Sequence, residues 1–226
     1  MNPIAIFYHC LFQLGDHLLT NAIEIVHEQM TALKTSGVED AASEIIVGCN
    51  GGEESKVFCD SILPQKSKVV YHGLQSHAEN LTIVELEKWA PSHPDWYVLY
   101  FHSKGATHPE GSTYGAGTSK PWRLGMMHDV VTNWRTCVAD LEAGHDIACS
   151  HWMWNMSDGT QHIPAGNFLW VTSNFVAKLP SIYLRDRIKV SGIDAAESRF
   201  ESEVYWGNGP RPKVKAYRPD GGGGVP

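Results

Sequence analysis

The sequence predicts a single-domain α/β fold built on a mostly parallel, doubly wound sheet with helices on both faces. Three observations predict it. Short apolar runs alternate with stretches of helical period through the amino-terminal half, the order expected of βαβ units. One run, Trp96 to Phe101, is apolar throughout, as a strand buried on both faces of a parallel sheet is. It stops on His102-Ser103-Lys104-Gly105, placing polar and cationic side chains at a strand's carboxyl end, the edge where open α/β sheets bind ligands. The same tetrapeptide also reads as a polar cap with a solvated lysine, and spacing alone leaves both readings open.

Pro3 to Tyr8 is a short apolar run suited to a first buried strand. From about Gly15 to Leu33, Leu18, Leu19, Ala22, Ile25, Val26, Met30 and Leu33 recur at three and four, which predicts an amphipathic helix stopped by Ser36-Gly37. Glu44 to Cys49 reads as a second strand before an Asn50-Gly51-Gly52 turn. Val57 to Leu63 suits a short helix or a loop, and Lys68 to Tyr71 a third strand. A helix begins at Asn80 or Thr82 and ends at Pro91 and Pro94.

After the Trp96 strand, Ala106 to Ser119 reads as a loop. Pro121, suited to a first helical turn, opens a long helix to about Ala143, capped by Gly144. His145 to Cys149 is a further strand. Pro164 to Asn167 turns into a strand at Phe168 to Val171, and Ser173 is the expected cap of a short helix to Leu179. Asp194 to Tyr205 has helical period, with Arg199 and Glu203 paired at four residues. The domain is expected to span residues 1–207, with residues 208–226 a carboxyl-terminal loop and a flexible tail around Gly221 to Gly224.

Composition narrows the partners. The net charge of −7 argues against a duplex nucleic acid, whose binding rests on neutralising phosphates with Lys and Arg. The five cysteines are odd in number and form no C-x-x-C pair, which suits reduced core thiols and a cytoplasmic protein. No apolar stretch is long enough to span a membrane, and no charged start followed by an apolar run marks a signal peptide. The eight tryptophans fit either a bulky core or stacking on sugars or bases.

Dinucleotide, P-loop and nucleophile-elbow signatures are all missing. Neither His102 with His108 nor His145 with His151 has zinc-site spacing, so no metal ligands are assigned. A metal-dependent hydrolase built on the histidines is the weakest of the available readings.

Several pieces in order carry a resemblance: a strand ending Tyr-Phe-His-Ser-Lys-Gly, a Trp122-Arg123 helix about twenty residues on, a Gly-His-Asp strand, Gly166-Asn167-Phe168-Leu169-Trp170, and a helix ending Leu-Pro. Over residues 96–207 this resembles small glycosyltransferase-like proteins of the GT-A fold, a Rossmann-related architecture. The resemblance implies a nucleotide-sugar donor held across the carboxyl ends of the strands and a hydroxyl acceptor, whether a glycan, a lipid or another small acceptor. Most such enzymes place Asp-x-Asp, with a manganese or magnesium ion, where this chain has His102-Ser103-Lys104. Lys104 and His102 are therefore expected to grip the diphosphate in place of the metal, which makes dependence on a divalent ion doubtful, the alternative being that another acid, Asp146 or Asp158, serves a metal.

An inverting transfer needs a general base. Glu203 is the first candidate, with Asp146 and Glu201 in reserve; pairing of Glu203 with Arg199 on a solvated helix is the competing reading. Asn167 is expected to offer its amide to sugar hydroxyls, or else to satisfy its own turn. Trp206 suits stacking on a sugar face, and the resemblance adds Trp122 and Arg123 to the sugar or acceptor side. Lys213 and Lys215, with Arg211 and Arg218, lie in a segment that either folds over the diphosphate or is a solvated tail. The expected activity is thus sugar transfer from a nucleotide donor, and the alternative is a noncatalytic nucleotide- or carbohydrate-binding domain that has lost its metal site.

Overall fold

The computed structural model describes residues 2–12, 16–73, 79–107, 116–154, 162–182, 189–190, 193–194 and 201–218. Seven strands, β1 (Ile4–Leu11), β2 (Glu44–Asn50), β3 (Ser67–Gly73), β4 (Tyr97–His102), β5 (Ile147–His151), β6 (Leu169–Thr172) and β7 (Val214–Arg218), form one sheet in the order β7-β5-β6-β4-β1-β2-β3. Only β6 runs against the rest, antiparallel to both β4 and β5. The fold is α/β with a mostly parallel sheet, as the apolar runs predict.

Strand side chains alternate between faces, and each face of β1 has its own cover. Ile4, Ile6, Tyr8 and Cys10 pack on Ala22, Val26, Met30 and Leu33 of α1 (Asp16–Ser36) and on Val130, Trp134 and Cys137. α2 (Ser55–Ile62) joins that layer through Cys59. Ala5 and Phe7 face the other way, toward Ile83 and Leu86 of α3 (Glu79–Trp89). Phe175 and Val176, with Tyr205 and Trp206, complete that second layer. A strand enclosed on both sides has no polar face to show, which explains the unbroken apolar runs of β1 and β4.

Several expectations are corrected. The helix expected from Pro121 to Ala143 starts earlier and is interrupted. α4 (Ala116–Met127) carries Pro121 inside it, a π-helical turn spans His128–Thr132, and α5 (Trp134–Glu142) follows. The wide turn places Val130 so that its carbonyl accepts the Trp170 indole N–H at 2.7 Å, and it carries Asp129 to Arg218 and Ser150.

The stretch after Gly207 is not all loop, because β7 adds parallel to β5 at the sheet edge. Its alternation is short and places Lys215 outward, a common protection for an edge strand. Such a pattern is easily taken for a polar tail. Finally, the cap of α6 (Ser173–Val176) is Thr172, whose hydroxyl accepts the Phe175 N–H, while Ser173 Oγ accepts from Trp96 N.

The helix expected over Asp194 to Tyr205 is described only as α7 (Glu201–Val204) running into a single 3₁₀ turn. Asp194 instead pairs with Lys189 in a two-strand ladder, and Arg199 lies outside the described residues, as do His108 and Asp158. No helix among the described residues is long and apolar enough to cross a membrane.

Candidate functional site at the carboxyl edge of the sheet

The chain from β1 proceeds to β2 and β3 on one side, then returns through α3 to lay β4 on the other side of β1. Strand order therefore reverses between β1 and β4, and ligands of open α/β sheets bind outside the carboxyl ends at such a point. Here the β1–β4 pairing ends on histidines in register, His9 opposite His102. The following turn is tied back to β1: Ser103 N–H donates to the His9 carbonyl at 2.9 Å, and Leu11 N–H donates to Ser103 Oγ at 3.1 Å. Gly105, at φ 92°, closes it in the left-handed region that glycine adopts freely.

Glu79, the first residue of α3, reaches into this edge. Its Oε1 accepts from Asn167 Nδ2 at 2.6 Å and from the Tyr100 hydroxyl at 3.1 Å, while Oε2 lies 3.7 Å from His102 Nδ1. His102 Nε2 donates to the Gly166 carbonyl at 3.0 Å, and Gly166 N–H donates to Glu203 Oε1 at 3.1 Å. Glu203 is thus linked through Gly166 to His102, whose other ring nitrogen faces Glu79. Gly166 at φ 84° and Asn167 at φ 60° make the tight turn that permits this. A side chain at Gly166 would strike Met126 Sδ.

Burial sets the charge states. Taking Glu79 out of water would raise its pKa, but His102, His9 and the hydrogen bonds from Asn167 and Tyr100 together hold it below the usual value. The carboxylate is therefore ionised at neutral pH. His102 is pushed down by burial despite Glu79, so its imidazole is neutral there. With Nε2–H on the Gly166 carbonyl, Nδ1 presents its lone pair on the Glu79 side.

Behind them, His9 Nδ1 and His72 Nε2 meet the Thr82 hydroxyl at 2.9 and 3.3 Å. The helix bearing Thr82 comes this close because β2 offers Gly48, where a Cβ would fall 1.8 Å from Thr82 Oγ1. Burial lowers His9 to about 4. The unfolded chain takes up this proton near pH 6.5 and the folded one only near 4, so the unfolded state binds more protons between them and stability falls as pH drops through that window. The loss amounts to about 3 kcal/mol. Urea midpoints measured from pH 7 to pH 4 should show this decline, and His9→Asn should flatten it; an unchanged slope would assign the proton uptake elsewhere.

The structure gathers some of the sequence-derived site residues and separates others. His102, Asn167, Glu203 and Trp206 come together. Trp206 is fully buried and gives its indole N–H to Asn167 Oδ1 at 2.5 Å, so neither its ring nor the Asn167 amide faces solvent. Lys104, Trp122 and Arg123 form a second group beside them. The Lys104 ammonium sits 4.1 Å above the Trp122 ring. Arg123 is buried, ion-paired to Glu28 at 2.9 Å, and donates to the Lys104 carbonyl, which makes it the brace of the turn. Glu201 accepts from Asn80 at the start of α3.

Asp146, Lys213 and Lys215 are elsewhere. Asp146 precedes β5, at the amino edge, where its Oδ2 accepts the Lys213 N–H at 2.8 Å and so fastens β7. Lys215 lies along β7 beside Ala148. Glu79, His9 and His72 went unrecognised in the sequence: each is an ordinary residue at a helix start or strand end until the topology brings them to one edge. The residues around His102 do not make a hard-cation site, since the strand end carries no carboxylate pair. Among the described residues the grouped potential metal ligands are three buried thiols, unsuited to manganese or magnesium.

A family profile described as "Domain of unknown function (DUF8361)" matches residues 7–205. A search of curated proteins gives no significant match. Among solved structures, the chain is similar to HddC from Yersinia pseudotuberculosis, at TM-score 0.47 and 9% identity over 97% of this chain and 91% of that one. It is also similar to 4-diphosphocytidyl-2C-methyl-D-erythritol synthase from Anaerococcus prevotii, at TM-score 0.43 and 13% identity over 96% and 87% of the two chains. Rv0371c from Mycobacterium tuberculosis aligns at TM-score 0.39 and 12% identity, over 96% and 88%.

Proposed function

The chain belongs to the DUF8361 family, and from the site at its sheet edge we propose that it is a transferase that takes a nucleotide-sugar donor across the carboxyl ends of β1 and β4 and passes the sugar to a hydroxyl acceptor. One observation carries this reading. Where strand order reverses, the strand end His102 to Lys104, with its one cationic side chain at Lys104, stands beside a half-buried ionised carboxylate, Glu79.

The chemistry divides between them. As the bond from the anomeric carbon to the diphosphate breaks, negative charge grows on the leaving group, and the Lys104 ammonium is the donor available to stabilise it. The acceptor oxygen attacks the same carbon and must shed its proton. Glu79 Oε2 is suited to receive it, since both hydrogen bonds to this carboxylate from the described residues fall on Oε1. Glu203, first choice from sequence, holds the Gly166 N–H instead and is assigned to shaping the turn.

A second reading, a noncatalytic nucleotide- or carbohydrate-binding domain, is favoured by the engagement of Asn167 with both Glu79 and Trp206. Thermal shift and sugar release across a panel of nucleotide sugars, with manganese or with chelator, separate the two. Transfer predicts stabilisation together with sugar release that persists in chelator, whereas stabilisation without turnover on any acceptor supports the binding domain. Lys104→Ala should weaken donor binding by about 10-fold or more, the value of a hydrogen bond to a charged group. Unchanged donor affinity in a titration would remove Lys104 from the diphosphate site.

A further inference from the structure

Three of the five cysteines converge in the core although their spacing, 10, 49 and 59, matches no motif. Cys10 and Cys49 are register partners on the adjacent parallel strands β1 and β2. Both enter the layer that α2 covers, and α2 supplies Cys59. The three Sγ atoms all lie within 4.8 Å of one another, and Cys59 Sγ is 3.4 Å from Cys49 Sγ. All three residues are buried, none more than 2% exposed.

We propose that Cys10, Cys49 and Cys59 form a trigonal site for a soft d10 metal ion, monovalent copper, separate from the proposed transferase site. A metal at the centre of three thiolates about 2.3 Å away requires sulfurs about 4 Å apart, a triangle the observed separations reach with shifts of less than an ångström. Thiolates select soft ions over the hard cations that carboxylates hold. No fourth His, Cys, Asp or Glu joins the group among the described residues. Zinc in structural sites takes four ligands, so a closed set of three favours copper.

The scaffold is also rigid. Two of the ligands sit on neighbouring strands at the centre of the sheet and the third on a helix packed against them, so the site needs little ordering on binding. Each copper–sulfur bond replaces an S–H bond and releases its proton to solvent, making affinity rise with pH. Cys137 and Cys149 are buried elsewhere, donating to the Asp129 and His151 carbonyls, and serve as internal controls.

The test titrates the full reduced chain with Cu(I), without oxygen, against a chromophoric Cu(I) chelator. The expected result is one retained equivalent, an ultraviolet sulfur-to-copper charge-transfer band, a raised melting temperature, and an X-ray absorption shell of three sulfurs at about 2.3 Å with no nitrogen. Cys49→Ser and Cys59→Ala should each lower affinity by about 100-fold or more, beyond what loss of a supporting contact costs, while Cys149→Ala should retain it. The absorption shell is read on the unsubstituted protein, so it decides the matter even if a variant does not fold. No retained equivalent, a shell containing nitrogen or oxygen, undiminished affinity in Cys49→Ser, or tighter uptake of zinc than of copper would overturn the assignment.

Discussion

Gly48→Ala will cost the protein about 3 kcal/mol or more, read as a fall in the midpoint of chemical denaturation. Overpacking a well-filled site typically costs about 1–3 kcal/mol, and here the added methyl has nowhere to go. It would stand 1.8 Å from Thr82 Oγ1, 2.9 Å from Thr82 Cβ and 2.7 Å from His72 Nε2. Thr82 is fully buried, and its β-branched side chain is stiff about χ1. Its hydroxyl is also committed to His9 and His72. Relief therefore requires α3 to lift from β2, which breaks those hydrogen bonds, each worth about 1 kcal/mol. Adding Thr82→Ala should recover part of the loss and no more, because Cβ remains in the way; such recovery is the signature of a direct contact in a double-mutant cycle. A Gly48→Ala protein within about 0.5 kcal/mol of the parent would mean that α3 has room to shift.

Glu79→Gln should slow transfer by about 100- to 10,000-fold, the range for a positioned general base, with donor affinity nearly unchanged. The glutamine keeps an oxygen for Tyr100 and Asn167 and so preserves the shape of the site. It lacks only the ability to take a proton. Glu203→Gln is the informative partner: its amide oxygen can still accept the Gly166 N–H, and the rate should fall by less than about 10-fold, since it loses no proton-accepting role. Single-turnover rates beside donor titrations separate the chemical step from binding. The opposite ranking would return the base role to Glu203.

What could be read from the residues follows what each signal depends on. β1, β2 and β4 were legible because strands enclosed on both faces must be apolar throughout, and that pattern is local. The same reasoning placed His102 and Lys104 at a carboxyl end. Glu79 was not legible, because an acid in the first turn of a helix is ordinary, and only the return of α3 across the sheet brings it to His102. Asp146 is legible as the start of a strand, but only the topology shows that this end lies at the amino edge, away from the crevice. β7 went unseen because an edge strand carries solvent-facing lysine. The thiol cluster depends on register between β1 and β2, which no spacing encodes.

The pairing of β1 with β4 has a kinetic meaning as well. Its register joins Ile4 to Tyr97, 93 residues apart by the difference of those numbers, whereas β1, β2 and β3 are joined to their sequence neighbours. Non-local parallel pairing is slow, because chain entropy must be lost before contacts compensate it. The β1-β2-β3 unit can therefore assemble first, presenting the outer side of β1 as an open edge until β4 docks. The crevice comes into being at that docking step. A folding experiment that follows ligand binding beside backbone protection should find the three-strand unit protected early and binding competence arriving last, with amides of β4 exchanging before those of β2 when the native protein opens.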